Sequence, residues 1–152
     1  MRYPLVWSVA VAAGCAGGSS GSVTPIGSPD QAAAAFMKAA ADSNLARMAQ
    51  LWGTSRGPAS ETRPQDFERR IFLMQTYLRG DSARIVSNSP MTGDDNRRRL
   101  VIALYRGSCV KQIPATMLRL RGSGWIVNDV DVTQAGNPAR PCDPGAEPPG
   151  NR

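Results

Sequence analysis

The sequence predicts an α+β domain, with three N-terminal helices packed on a four-stranded antiparallel sheet. Two observations carry that prediction. Apolar residues recur at helical spacing as far as Leu78, and from Ser82 onward they give way to short β-branched and aromatic runs separated by turn residues. The 152 residues, 41% hydrophobic and 20% charged, also suffice for one folded core and little more.

The first helix is signalled by "SPDQAAAAFMKAAA", Ser28 to Ala41. Ser28 and Gln31 stand at capping-box spacing, Pro29 suits the first helical position, and Asp30 places negative charge at the positive end of the helix dipole. Ala32, Phe36, Ala39 and Ala40 share one face, whose small side chains let another element approach closely. A second helix is expected from Asp42 or Ser43, with Leu45, Met48, Ala49 and Trp52 forming its apolar stripe. "GTSRGPAS", residues 53–60, reads as a loop. Thr62, Pro64 and Gln65 then mark the start of a third helix, with Phe67, Ile71, Met74 and Leu78 along one face and Gly80 as its stop.

The runs "SARIVSNSP", "RRRLVIALYRG", "ATMLRLRG" and "WIVNDVDVT" follow, separated by "TGDDN", "SCVKQIP" and "GSG". They predict a meander of four antiparallel strands. Leu100, Ile102 and Leu104 lie on one face of the second run and Val101, Ala103 and Tyr105 on the other, so that strand is expected inside the sheet. The folded domain is therefore placed at residues 28–133. The remainder, 134–152, is too rich in Pro and Gly for a regular element and is expected to be a tail.

Residues 1–14, "MRYPLVWSVAVAAG", carry one early positive charge and a short apolar stretch ending in small residues. The stretch is too short to span a bilayer and fits a secretory signal. "AAGC", Ala12 to Cys15, resembles the lipobox of bacterial lipoprotein signal peptides. The resemblance implies that the Cys15 thiol is lipidated and becomes the new N-terminus. It places the protein in a bacterial cell envelope, extracytoplasmic and membrane-anchored, on the periplasmic side of the outer membrane in a Gram-negative source. Residues 15–27 would then be the lipidated cysteine and its Gly/Ser-rich tether, with a typical reach of roughly 20 Å by random-coil scaling. Export also puts Cys109 and Cys142 in an oxidising compartment, where a disulfide between them is expected to staple the tail to the segment after the second strand.

Helices followed by an antiparallel meander is also the element order of the NTF2-like superfamily. "SPDQAAAAFMKAAADSNLARMAQLW" is similar to the opening of its small bacterial lipoprotein members, and the resemblance covers about residues 28–133. It implies a curved sheet wrapped around the long helix as a cone with a pocket at its open end. Function does not follow from such a fold, because enzymes, binders and assembly modules share it.

Composition excludes more than it assigns. With no histidine, the chain cannot build a Ser-His-Asp or Cys-His machine, and zinc loses its commonest nitrogen ligand. Three dispersed cysteines form no Cys-x-x-Cys cluster, so no metal or cofactor is expected. The net charge of +6 is scattered, and 6% aromatic content argues against a nucleic-acid partner recognised by base stacking. Asp129 and Asp131 alternate with Trp125 and Val127, and a carboxylate beside a tryptophan inside the cone would suit a general base. The other arrangement buries Ile126, Val130 and Val132 and leaves both aspartates in solvent. Tyr77 and Tyr105 are candidates for pocket hydrogen bonds or for core positions. Gly93–Asn96 reads as a hairpin turn, lacking the ligand spacing of a calcium loop, and Arg97–Arg99 would alternate faces of a strand.

These features predict an anchored, non-catalytic binding or protein-interaction module, with the membrane and a small apolar ligand or a protein as partners. One alternative is an isomerase- or dehydratase-type pocket enzyme using Asp129 or Asp131. The other is a structural envelope protein forming a homodimer through its sheet.

Overall fold

A computed structural model of the chain describes residues 26–122 and 124–143. The expected signal segment 1–14, the lipidation site Cys15, the tether up to residue 25 and the tail from residue 144 lie outside the described residues.

Helix α1 (Pro29–Ala41) starts where its cap predicts, the Ser28 hydroxyl accepting from the Gln31 amide at 3.2 Å. Ser43 adopts a left-handed backbone with φ 55°, which ends α1 and moves the next cap to Asn44. The Asn44 side chain accepts from the Arg47 amide at 2.9 Å, and α2 runs over Leu45–Leu51. Residues 53–60 are more ordered than a loop. They form a two-residue hairpin, β1 (Gly53–Thr54) with β2 (Gly57–Pro58), followed by a single helical turn, α3 (Ala59–Thr62).

Four helical segments, where three were expected, thus precede the main sheet among the described residues. Thr62 ends a helix where it was expected to begin one, its hydroxyl donating back to the Pro58 carbonyl at 3.0 Å. The cause is Pro64, which disfavours helical geometry at the residue before it. Arg63 takes φ 41°, and α4 (Phe67–Leu78) starts only after Asp66 at φ 57°.

The sheet is an antiparallel meander in the order β3 (Ser82–Met91), β4 (Asp94–Arg106), β5 (Cys109–Leu120), β6 (Gly124–Val130). The segment "SCVKQIP" was expected to be a connection. Only Gly107 and Ser108 form the turn, and the rest is the first half of β5. Pro114 stands within that strand although a proline lacks the N–H that an interior strand uses. Its carbonyl accepts from the Asp131 amide at 2.9 Å, on the side where β6 has just ended at Val130. The missing donor faces that free side, so the ladder to β4 loses nothing.

Register shifts mark bulges at Val86 in β3 and Asn128 in β6. Bulges bend and twist a strand and turn its later side chains to the other face. The face carrying Leu100, Ile102, Leu104, Ile113, Met117 and Val127 packs against the helices. Phe36 and Met48 fill the space between, each 0% exposed, as are Leu100 and Met117.

The outer edge of β6 is covered by two short parallel bridges, from Ile26 to Gly124 and from Trp52 to Val127. Gly124 has φ +74°, and a Cβ there would stand 2.4 Å from the Ile26 carbonyl oxygen. Gly124→Ala is therefore expected to destabilise the domain by about 2–3 kcal/mol, through a left-handed backbone and loss of the Ile26 bridge. Urea denaturation measures it, and a loss under about 0.5 kcal/mol would contradict the close approach.

Candidate functional site

The bulge at Asn128 decides where the candidate carboxylates stand. Before it, Trp125 and Val127 face the core, and after it Val130 does so instead. Asp129 consequently lies on the face opposite Trp125 and Val127, exposed and beside Thr116. Asp131 is half-buried at the start of a 3-10 helix, Val132–Ala135, and its carboxylate caps that helix by accepting from the amide (3.1 Å) and the hydroxyl of Thr133. Strict alternation along 125–131 had put both aspartates with Trp125. One extra residue in the strand removes that shared placement, leaving Asp129 in solvent and Asp131 engaged as a helix cap.

Asn128 itself is a junction that the sequence reading did not single out. Its amide donates to the Gly53 carbonyl at 2.9 Å and its side-chain oxygen accepts from Arg97 at 3.3 Å. Its backbone carbonyl accepts from the Trp52 indole at 3.1 Å, so two bonds tie the β1–β2 hairpin to the bulge and a third ties β4 to it.

A second junction sits at the opposite end of β4. Arg106 is buried, and its guanidinium has no carboxylate partner among the described residues; it donates to the carbonyls of Arg79 (2.8 Å), Ala135 (2.7 Å) and Tyr77. Tyr77 and Arg79 belong to the last turn and C-cap of α4, and Ala135 ends the 3-10 helix. Helix C-termini carry partial negative charge and unsatisfied carbonyls, so one cation compensates both ends at once. Burial pushes the Arg106 pKa below its ordinary value. A base whose folded pKa is lowered makes stability rise with pH only between the lowered and ordinary values. A guanidinium keeps its proton in proteins, so Arg106 acts here as a cation. Alternation did contain this site, since Arg106 continues the inward positions of Leu100, Ile102 and Leu104. The charge of the side chain hid it.

Beside Arg106 runs an open groove lined by Phe72 and Thr76 of α4, the Gly107–Ser108 turn, residues 137–139, Pro141 and Cys142. Its far wall is held by the disulfide Cys109–Cys142, which joins residues 33 apart with Cα atoms 5.3 Å from each other. The core reaches past the expected domain edge at 133, because Ala135 is fully buried, and the bridge then holds the following segment against β5.

The remaining candidates do not converge on one place. Tyr77 is exposed on α4, and Tyr105 is half-buried on the outer face of β4. Gly93 forms the β3–β4 turn at φ +81°. Arg97 and Arg99 project outward, while Arg98 faces inward and donates to the Asn88 side chain at 2.8 Å. Asn88 in turn donates to Asp30 at 2.7 Å, tying the start of α1 to β3. Among the described residues no group of three or more acidic or cysteine side chains is placed to hold a metal ion, and no helix is long and apolar enough to cross a membrane. No family model, curated protein or solved structure matches the chain.

Proposed function

We propose that this chain is an exported lipoprotein anchored through Cys15, whose domain follows an NTF2-like plan and works as a non-catalytic binding or interaction module on the outer side of a bacterial membrane. The observation that carries the reading is the disulfide Cys109–Cys142. A structural disulfide suits an extracytoplasmic, oxidising compartment, and it leaves the third cysteine out of the pair. That third cysteine is Cys15, which ends the lipobox-like "AAGC". The fold part of the reading is supported by the meander order, by the two bulges that bend it, and by the packing of α1 on its inner face.

An interaction role is supported over an enclosed ligand site by the filling of the interior with Phe36, Met48, Leu100, Ile102 and Met117. The outward side of β4 and β5 meanwhile presents Val101, Tyr105 and the 49% exposed Val110 to a protein partner. A second copy of the chain across that strip is the alternative occupant.

Lipidation is tested by growing a bacterium that expresses the full chain with radiolabelled palmitate. Label on the wild-type protein, its loss in Cys15→Ser, and a precursor that accumulates under globomycin are the expected results. A wild-type chain that takes no label and matures normally under globomycin overturns the anchor.

A further inference from the structure

The end of the sheet where β6 begins carries a concentration of arginines that neither the core nor the Arg106 junction uses. Arg56 in the β1–β2 turn, Arg97 of β4, Arg119 of β5 and Arg121 in the β5–β6 turn line a single groove. Two carboxylates, Asp94 and Glu61, share it, and Asp94 is engaged by Arg97 at 3.2 Å. Arg56, Arg119 and Arg121 are exposed and make no ion pair among the described residues. Three unneutralised guanidinium groups within one groove form a site for phosphate-bearing anions, which guanidinium binds through paired N–H donors.

The position of the groove says which anions it meets. Arg119 is paired across the sheet with Trp125, and the Trp125 amide donates to the Ile26 carbonyl at 2.9 Å. Ile26 therefore lies two strand spacings, about 10 Å, from Arg119. It is the first described residue, and only eleven positions separate it from Cys15. Even fully extended, that stretch spans at most about 40 Å. An acyl chain on Cys15 would thus attach the domain to the bilayer through its arginine-bearing end, which favours that end among the surfaces that meet the membrane. Confinement of this kind gives effective concentrations on the order of millimolar, enough to engage a surface too weak to bind from solution.

We propose that the groove formed by Arg56, Arg97, Arg119 and Arg121 docks the domain onto anionic phospholipid headgroups of the membrane that holds its lipid anchor. The inference rests on the lipoprotein reading for its biological setting, but the surface is measurable without it. Docking turns the β5–β6 end toward the bilayer and leaves the groove beside Arg106 and the outward strip of β4 and β5 facing away, accessible to a partner.

The test uses the full chain carrying Cys15→Ser, which has no acyl chain to mask a weaker contact. It is co-sedimented with vesicles of phosphatidylcholine alone and with vesicles of equal parts phosphatidylcholine and phosphatidylglycerol. Pure phosphatidylcholine reports any contribution of the apolar residues 1–14, and the difference between the two isolates the charge term. Each arginine near an anionic surface contributes a factor of about five, so Arg56→Gln/Arg119→Gln/Arg121→Gln is expected to weaken phosphatidylglycerol-dependent binding roughly a hundred-fold. Arg69→Gln/Arg84→Gln/Arg140→Gln, with the same loss of net charge elsewhere on the surface, is expected to weaken it several-fold at most. Raised salt should release the unsubstituted Cys15→Ser chain. Equal losses in the two triple variants, binding that ignores phosphatidylglycerol, or a preference for RNA over the anionic vesicles each overturns the proposal. Vesicle binding that persists when palmitate labelling fails removes the anchor and leaves the surface; labelling without vesicle binding does the reverse.

Discussion

Arg106→Met is expected to destabilise the domain by about 3–5 kcal/mol, the largest effect of any single substitution considered. The methionine fills much of the same space but leaves the carbonyls of Tyr77, Arg79 and Ala135 without their donor. An unsatisfied buried carbonyl costs about 1–3 kcal/mol, and the ends of two helices lose their compensating charge as well. For a domain of this size the melting temperature should fall by roughly 12–25 °C. Arg106→Lys keeps the charge but not the planar fork that reaches carbonyls on two elements, and is expected to fall between wild type and Arg106→Met. Denaturant titration of the three proteins checks the order. A methionine variant within about 1 kcal/mol of wild type would mean that water replaces the guanidinium at these carbonyls.

Removal of the disulfide is the second large effect. Cys109→Ser/Cys142→Ser opens a loop of 33 residues and is expected to cost about 3–4 kcal/mol, mainly by freeing the unfolded chain. The loss should not simply add to that of Arg106→Met. The guanidinium holds Ala135 and the disulfide holds Cys142, so both restrain the segment that crosses between α4 and β5. Once one restraint is gone the other has a looser segment to hold. The combined variant is therefore expected to deviate from the sum of the separate losses by about 0.5 kcal/mol or more. Strict additivity, measured in the same titration, would show that the two restraints act on independent units.

Much of the fold was legible because its signals are short-ranged. The Ser28 cap of α1, the apolar stripe of α4 and the inward alternation of Leu100, Ile102 and Leu104 each depend on residues a few positions apart. The change of period near Gly80 separated helices from strands correctly. Where two local signals competed, the weaker reading followed the wrong one. Thr62 has the side chain of a helix start, but the proline two positions on disfavours right-handed helical geometry at Arg63, and the helix ends there.

The candidate site was less legible, for a different reason. Asp129 and Asp131 were placed by an alternation that holds only while the strand stays in register. Asn128, where the register breaks, bonds to Gly53 and accepts from the Trp52 indole, residues some 75 positions earlier in the chain. Nothing within β6 announces that the bulge must fall there. Cys109 and Cys142 were paired in the sequence reading from their compartment and number, and their bond is present.

The sequence by itself determined the α+β class, the helix that opens the domain, the four-strand meander with its inward and outward faces, and the two cysteines that bridge. All follow from hydrophobic period, capping and parity, which are properties of neighbouring residues or of simple counts. The tertiary structure alone decided that Pro114 lies within a strand, that Asp129 turns to solvent, that Arg106 joins two helix ends, and that four arginines from separate elements share one groove beside Ile26. Each of these rests on what stands across a strand or at the end of a helix, and those partners are brought together only by the closed fold.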